Sequence, residues 1–133
     1  MILAFEPLEK CYLIRGYSRE DTLDYDGTLT ITEREPGYWE LLGWTTPKNA
    51  SRTYHYDAME KIEAFLTGVN PGFIALTGTL SKEKLKIQER LWRKKYRLVP
   101  IREVHKWFNG CMLDAVYVKF VRIGEENGAT SVD

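Results

Sequence analysis

Lys82 to Arg97 reads KEKLKIQERLWRKKYR, and the layout of the second half of the chain turns on whether it is one helix. Eight of its sixteen residues are basic and only Glu83 and Glu89 oppose them, a net +6. At about 100° per residue, Lys82, Lys86, Arg90, Arg93 and Arg97 share one narrow stripe, with Lys94 at its edge. Leu85, Ile87, Leu91, Trp92 and Tyr96 fall on the other side. Ser81 stands where an N-cap belongs. The spacing predicts a basic amphipathic helix of about four turns. Lys82, Lys84 and Lys86 crowd its positive end, against the macrodipole, which hints at an anionic partner outside the chain.

Working outward, Phe73–Thr77 reads as a short buried strand, and Gly78 to Leu80 as the lead into the helix. Beyond it, Leu98 and Val99 extend a strand up to Pro100. Ile101 to Phe108 reads as a short helix between Pro100 and Asn109-Gly110. Met112 to Ile123 is the longest strand, with Val116, Val118 and Phe120 on one face. Upstream, Ile2–Phe5 is a short apolar run ended by Pro7, and strands are expected at Cys11–Tyr17, Thr28–Thr32 and Tyr38–Thr45, with a turn at Glu35-Pro36-Gly37. Asp57–Leu66 reads as a helix whose apolar face is Ala58, Met59, Ile62, Phe65 and Leu66, stopped by Gly68. The order predicts an α+β fold: an antiparallel sheet of about five strands with two to three helices on one face. Residues 1–123 are expected to form a single domain and 124–133 a flexible tail.

A chain of 133 residues is long enough for one real core. Its 19 basic and 19 acidic residues cancel, but unevenly. Residues 1–81 hold 7 basic and 12 acidic groups, and residues 82–133 hold 12 and 7. The local field is therefore basic around the helix, although the whole chain is neutral. Cys11 and Cys111 lie too far apart in sequence for a metal-ligand spacing and read as buried free thiols. The opening MILAFEPLEK has no signal-peptide pattern and there is no apolar run of spanning length, so a cytoplasmic protein is expected.

Asp24-Tyr25-Asp26-Gly27 is the most motif-like text. Its first reading is a hairpin turn, since Asp-Gly before an alternating strand is a strong local signal. Counted from Thr22, the stretch also resembles an EF-hand loop. That resemblance implies Asp24, Asp26 and Glu33 as calcium ligands. Asp24 to Leu29 further resembles the first motif of haloacid-dehalogenase-type phosphatases, with Phe73–Thr77 similar to their second. That likeness implies Asp24 as nucleophile and Asp26 as proton carrier. Thr22 at the first ligand position and Pro36-Gly37 after the loop keep the hairpin in front.

His55, in Tyr54-His55-Tyr56-Asp57, and His105 are the only histidines, and neither has a recognisable nucleophile beside it in sequence. Gly78-Thr79-Leu80-Ser81-Lys82 could cradle an anion on helix amides, although it is not a P-loop. Four Trp and eight Tyr exceed the needs of a modest core and suit an interface or base stacking.

The sequence reading is a small non-enzymatic binding protein. Lys82, Lys86, Arg90, Arg93, Lys94 and Arg97 contact an anionic partner, nucleic acid first and an acidic protein surface second. One alternative is a protein-interaction or inhibitor protein that uses the acidic, Tyr-rich half as well. The other is a phosphatase-like enzyme or calcium-binding protein using Asp24 and Asp26. No cofactor, no firm metal site and no membrane contact are expected, and homodimerisation is left open.

Overall fold

The computed structural model describes residues 2–9, 11–17, 27–46 and 50–124. Among them lie seven strands and two helices. They are β1 (Ile2–Pro7), β2 (Cys11–Tyr17), β3 (Gly27–Glu35), β4 (Tyr38–Thr45), α1 (Arg52–Val69), β5 (Ala75–Ser81), α2 (Lys82–Trp92), β6 (Tyr96–Phe108) and β7 (Cys111–Arg122). The strands are ordered β1-β2-β3-β4-β5-β7-β6 in a mixed sheet. This corrects the expectation of an antiparallel sheet of about five strands with two to three helices on one face. Helical crossovers cause the difference, because a helix between two strands returns the chain to run parallel. The chain divides into two compact units, Met1–Leu76 and Thr77–Asp133.

The first unit begins with an antiparallel meander. β1 pairs β2 from Ile2↔Tyr17 to Pro7↔Tyr12, and β2 pairs β3 from Cys11↔Thr32 to Gly16↔Gly27. Alternation puts Ile14, Leu29 and Ile31 inside, each at most 3% exposed. Pro36-Gly37 closes β3 onto β4, with Gly37 at φ +85°, where a side chain is disfavoured. The amide of Gly37 donates to Glu33 Oε2 at 2.9 Å, which holds the turn. Helix α1 buries Tyr56, Ala58, Met59, Ile62 and Leu66. That stripe repeats at three and four residues. Ala58 and Ile62 meet Leu3, Ile14 and Leu29 around a slit of only about 10 Å³, so this face is closed core. Phe5 stacks on Phe65 at 3.8 Å, and Tyr12 meets Phe65 edge-on at 5.0 Å.

In the second unit, β7 lies between β5 and β6 and is antiparallel to both. Ala115 to Val118 are all buried, as a strand covered on both faces should be. Helix α2 is eleven residues long and ends at Trp92, so the stretch from Lys82 to Arg97 is not one helix. Trp92 is 2% exposed and packs edge-on against Tyr96 at 5.7 Å and Phe120 at 5.6 Å. Tyr96 already belongs to β6. Ile101 to Phe108, expected as a helix, continues that strand. Proline is tolerated on an edge strand, and Pro100 sits at a register shift between Pro100 and Arg102. Asn109 (φ +48°) and Gly110 (φ +80°) form the two-residue hairpin turn that joins β6 to β7. The hydroxyl of Tyr117 donates to Thr77 Oγ1 at 2.9 Å in the interior. Among the described residues, no helix is long and apolar enough to cross a membrane.

Candidate functional site

The start of α1 gathers more polar chemistry than its sequence advertises. Ser51 is the N-cap, with φ −84° and ψ 171°, and its hydroxyl accepts from the amide of Tyr54 at 3.2 Å. The carbonyl of Ser51 accepts from the amide of His55 at 3.3 Å. The amides of Arg52 and Thr53 are left with no acceptor inside the helix. No acidic residue stands in the first turn, so the positive end of an 18-residue helix is uncompensated within the helix itself. Arg52 adds a guanidinium at the first helical position. Two amides, a full charge and a helix dipole make an anion-binding set.

Two neighbours fix this turn. His55 Nδ1 lies 2.8 Å from the carbonyl oxygen of Ser51. A carbonyl can only accept, so Nδ1 carries the proton and Nε2 is the basic nitrogen. The ring of Trp44 lies 5.6 Å from the imidazole. The hydroxyl of Tyr54 rests over Gly16 and Gly27, where any Cβ would stand 3.1 Å and 2.6 Å from it. β4 is bulged where it approaches the helix. Thr28↔Thr45 and Thr30↔Leu42 leave one extra residue on β4, and Gly43 there has φ +61°. Thr28 and Thr45 bind each other hydroxyl to hydroxyl at 2.9 Å beyond the bulge. Further back on β4, Glu40 is fully buried and accepts from Arg34 Nε at 2.7 Å, a partnered internal charge.

The residues singled out in the sequence fall elsewhere. Lys82 Nζ donates to Glu103 Oε1 at 2.7 Å. That hydrogen bond is the main reason the Lys82 ammonium titrates above its ordinary range and the Glu103 carboxyl below its own. The unfavourable lysine at the start of α2 is thus answered inside the protein. Lys86 and Arg90 are exposed on α2, Arg93 and Lys94 lie in the turn after it, and Arg97 is on β6. The six do not form one stripe. Ile87, expected on the apolar side, is 63% exposed. Gly78 to Ser81, read as an anion cradle, are strand residues paired with β7.

Asp24, Asp26 and the rest of residues 18–26, where the hairpin turn was expected, lie outside the described residues. Gly27 is a ladder residue opposite Gly16, and Glu33 is in β3 holding the Gly37 amide, not on a helix after a calcium loop. Among the described residues, no cluster of ligand side chains could hold a metal ion. Phe73 and Ile74 precede β5, and the Thr77 hydroxyl is taken by Tyr117. His105 Nδ1 pairs with Asp114 Oδ1 at 2.9 Å on the surface of the β6–β7 hairpin. Cys11 is half-buried and Cys111 exposed, both free, where buried thiols were expected.

No protein-family model matches the chain, and no curated protein is similar to it. Solved structures are. Arabidopsis thaliana NAA60 in complex with a bisubstrate analogue superposes with a TM-score of 0.61 at 15% identity, over 84% of this chain and 75% of that one. The fold is that of the GNAT acetyltransferases. A spermidine N-acetyltransferase SpeG chimera from Vibrio cholerae and hSSAT gives 0.58 at 9% identity, covering 90% and 74% of the two chains. A GNAT family acetyltransferase from Elizabethkingia anophelis with acetyl-CoA bound gives 0.54 at 11%, covering 86% and 77%. At these identities the likeness is one of fold. It corrects the functional expectation all the same. The chain has the architecture of acetyl-CoA-binding enzymes, so the readings as a non-enzymatic nucleic-acid binder, as a ligand of acidic protein surfaces and as an inhibitor protein do not stand.

Proposed function

We propose that the chain is an acyltransferase that moves an acetyl group from acetyl-CoA to an amine. The observation that carries this reading is the likeness to an acetyltransferase bound to a bisubstrate analogue over 84% of the chain. The residues at the start of α1 fit the donor. Acetyl-CoA is anionic through its phosphate groups, and the open amides of Arg52 and Thr53, the Arg52 guanidinium and the helix dipole suit phosphate oxygens. The absence of acidic residues in that turn removes the obvious repulsion.

When bound, acetyl-CoA supplies an acyl group activated as a thioester. The chain's part is to hold the donor's phosphates at Arg52 and Thr53 and to keep α1 seated through Tyr54. His55, whose Nδ1 lies 2.8 Å from the Ser51 carbonyl oxygen, ties this turn together beside the phosphates; the thioester lies a pantetheine arm away, so the proton of the attacking amine is not taken here. The spermidine N-acetyltransferase among the structural neighbours supports an amine as acceptor.

The test is release of free coenzyme A thiol from acetyl-CoA across a panel of primary amines and amino-terminal peptides. The reading expects amine-dependent turnover that Arg52→Glu reduces mainly through a raised KM for acetyl-CoA. Absence of turnover with every amine, in a folded protein that also fails to bind acetyl-CoA, refutes it.

A further inference from the structure

The far end of the β6–β7 hairpin carries chemistry that the start of α1 does not use. β5 pairs β7 only from Thr77↔Lys119 to Ser81↔Ala115, so beyond Ala115 the hairpin is a two-stranded arm. Cys111 to Asp114 are all exposed. A two-stranded hairpin without cover is marginal in water, so the tip of the arm opens locally more easily than the sheet behind it.

Asn109 and Gly110 form that tip, and both are exposed. The strand ladder closes at Phe108↔Cys111, which leaves the Gly110 amide outside it. Among the described residues, no hydrogen bond holds the Asn109 carboxamide, and a Cβ built on Gly110 would meet nothing within 4 Å. Glycine has no side chain to screen its own nitrogen. The tip therefore joins an unrestrained carboxamide, an unscreened main-chain nitrogen in the next residue and free access of water.

We propose that Asn109 is a site of spontaneous covalent modification, converting through a cyclic imide to aspartate and isoaspartate. The Gly110 nitrogen gives its proton to solvent base and bonds to the Asn109 Cγ. The side-chain amide nitrogen takes up a proton and leaves as ammonia, which closes a five-membered succinimide. Water then opens the ring at either carbonyl. One opening gives aspartate, and the other routes the main chain through the side-chain carbons as isoaspartate. The folded turn sets the rate. Asn109, at φ +48°, is in the left-handed region, where ψ is about +47°. That rotation turns the Gly110 nitrogen away from the Asn109 side chain, so ring closure waits for local opening. Asp-Gly suits the same two-residue turn as Asn-Gly. Isoaspartate adds a methylene to the main chain and disturbs the ladder from Phe108↔Cys111 to His105↔Asp114.

Asn127-Gly128 is the other Asn-Gly pair in the sequence, so the test uses the full chain carrying Asn127→Gln. The protein is aged at mildly alkaline pH, folded and in urea, with and without Gly110→Ala. The peptide spanning residue 109 is mapped by mass and by enzymatic methylation of isoaspartate. The proposal expects aspartate and isoaspartate at position 109, ammonia released in equal amount, and a rate that rises with pH and is faster in urea. Gly110→Ala should slow the reaction severalfold in urea, where folding plays no part, because its methyl group screens the attacking nitrogen. A folded chain left unmodified while the urea sample converts fully overturns the proposal, as does an equal rate in urea with and without Gly110→Ala. Hydrogen exchange reads the consequence. Residues 103–116 of the aged protein should exchange faster than those of an Asn109→Asp variant, and equal exchange would overturn the disturbance assigned to isoaspartate. None of these readouts depends on acyl transfer.

Discussion

Gly27→Ala is the substitution that most directly probes how α1 is seated. A Cβ at that position would lie 2.6 Å from the Tyr54 hydroxyl and 2.9 Å from the carbonyl oxygen of Thr45. Carbon does not approach oxygen that closely, so something must move. Overpacking of this kind costs about 1–3 kcal/mol, and at about 4 °C per kcal/mol the midpoint should fall by about 4–12 °C. Gly16→Ala is the milder companion, with its Cβ 3.1 Å from the same hydroxyl and 3.5 Å from Leu3, and should cost about 1 kcal/mol. Tyr54→Phe removes the shared oxygen and separates the two cases. In that background Gly16→Ala should be nearly neutral, while Gly27→Ala should still cost about 1 kcal/mol, because the Thr45 carbonyl remains. Chemical denaturation of the four single and double variants against Tyr54→Phe alone measures this. If Gly27→Ala is as stable as the parent, or if Tyr54→Phe rescues it completely, the Tyr54 hydroxyl and the Thr45 carbonyl do not both crowd Gly27. Because Tyr54 is in the first turn of α1, Gly27→Ala should also weaken acetyl-CoA binding.

Three further outcomes follow from other parts of the fold. Gly110→Ala forces a side chain onto φ +80° in the β6–β7 turn and should cost about 1–2 kcal/mol by denaturation. Glu103→Gln should remove a stabilisation confined to a pH window. Glu103 titrates below its ordinary 4.5, so its contribution is present above that value and lost as pH falls through the folded value. Lys82 titrates above its ordinary 10.5, so its contribution is present below that value and lost at higher pH. The stability difference between parent and variant should therefore be small, flat through neutral pH, and absent in acid. Ser51→Ala should cost about 1 kcal/mol by removing the cap of α1.

The strands were the most legible part of this sequence. β2 and β4 cover the runs read for them, Cys11–Tyr17 and Tyr38–Thr45. The helices were harder. α1 starts at Arg52 and not at Asp57, since Tyr54, His55 and Tyr56 have weak helix propensity and the Ser51 cap carries the start. Ile101, Val104 and Phe108 are spaced as a helix face would be, yet they belong to β6. The Asn109-Gly110 pair was the signal that should have decided for a hairpin. The basic stripe failed because periodicity cannot see where a helix stops. Trp92 and Tyr96 close the core around Phe120 and end α2 before Arg93. The candidate site was scarcely legible at all. Its chief groups are backbone amides at Arg52 and Thr53, which any residue type provides.

Calorimetric titration of acetyl-CoA into the parent protein and into Arg52→Glu tests the central claim most directly. The parent should bind one equivalent. The variant should remain folded and bind roughly tenfold or more weakly, the loss expected for a charge-assisted phosphate contact. Binding of equal strength in both would contradict the placement of the donor at α1, and no binding in either would contradict the enzymatic reading itself.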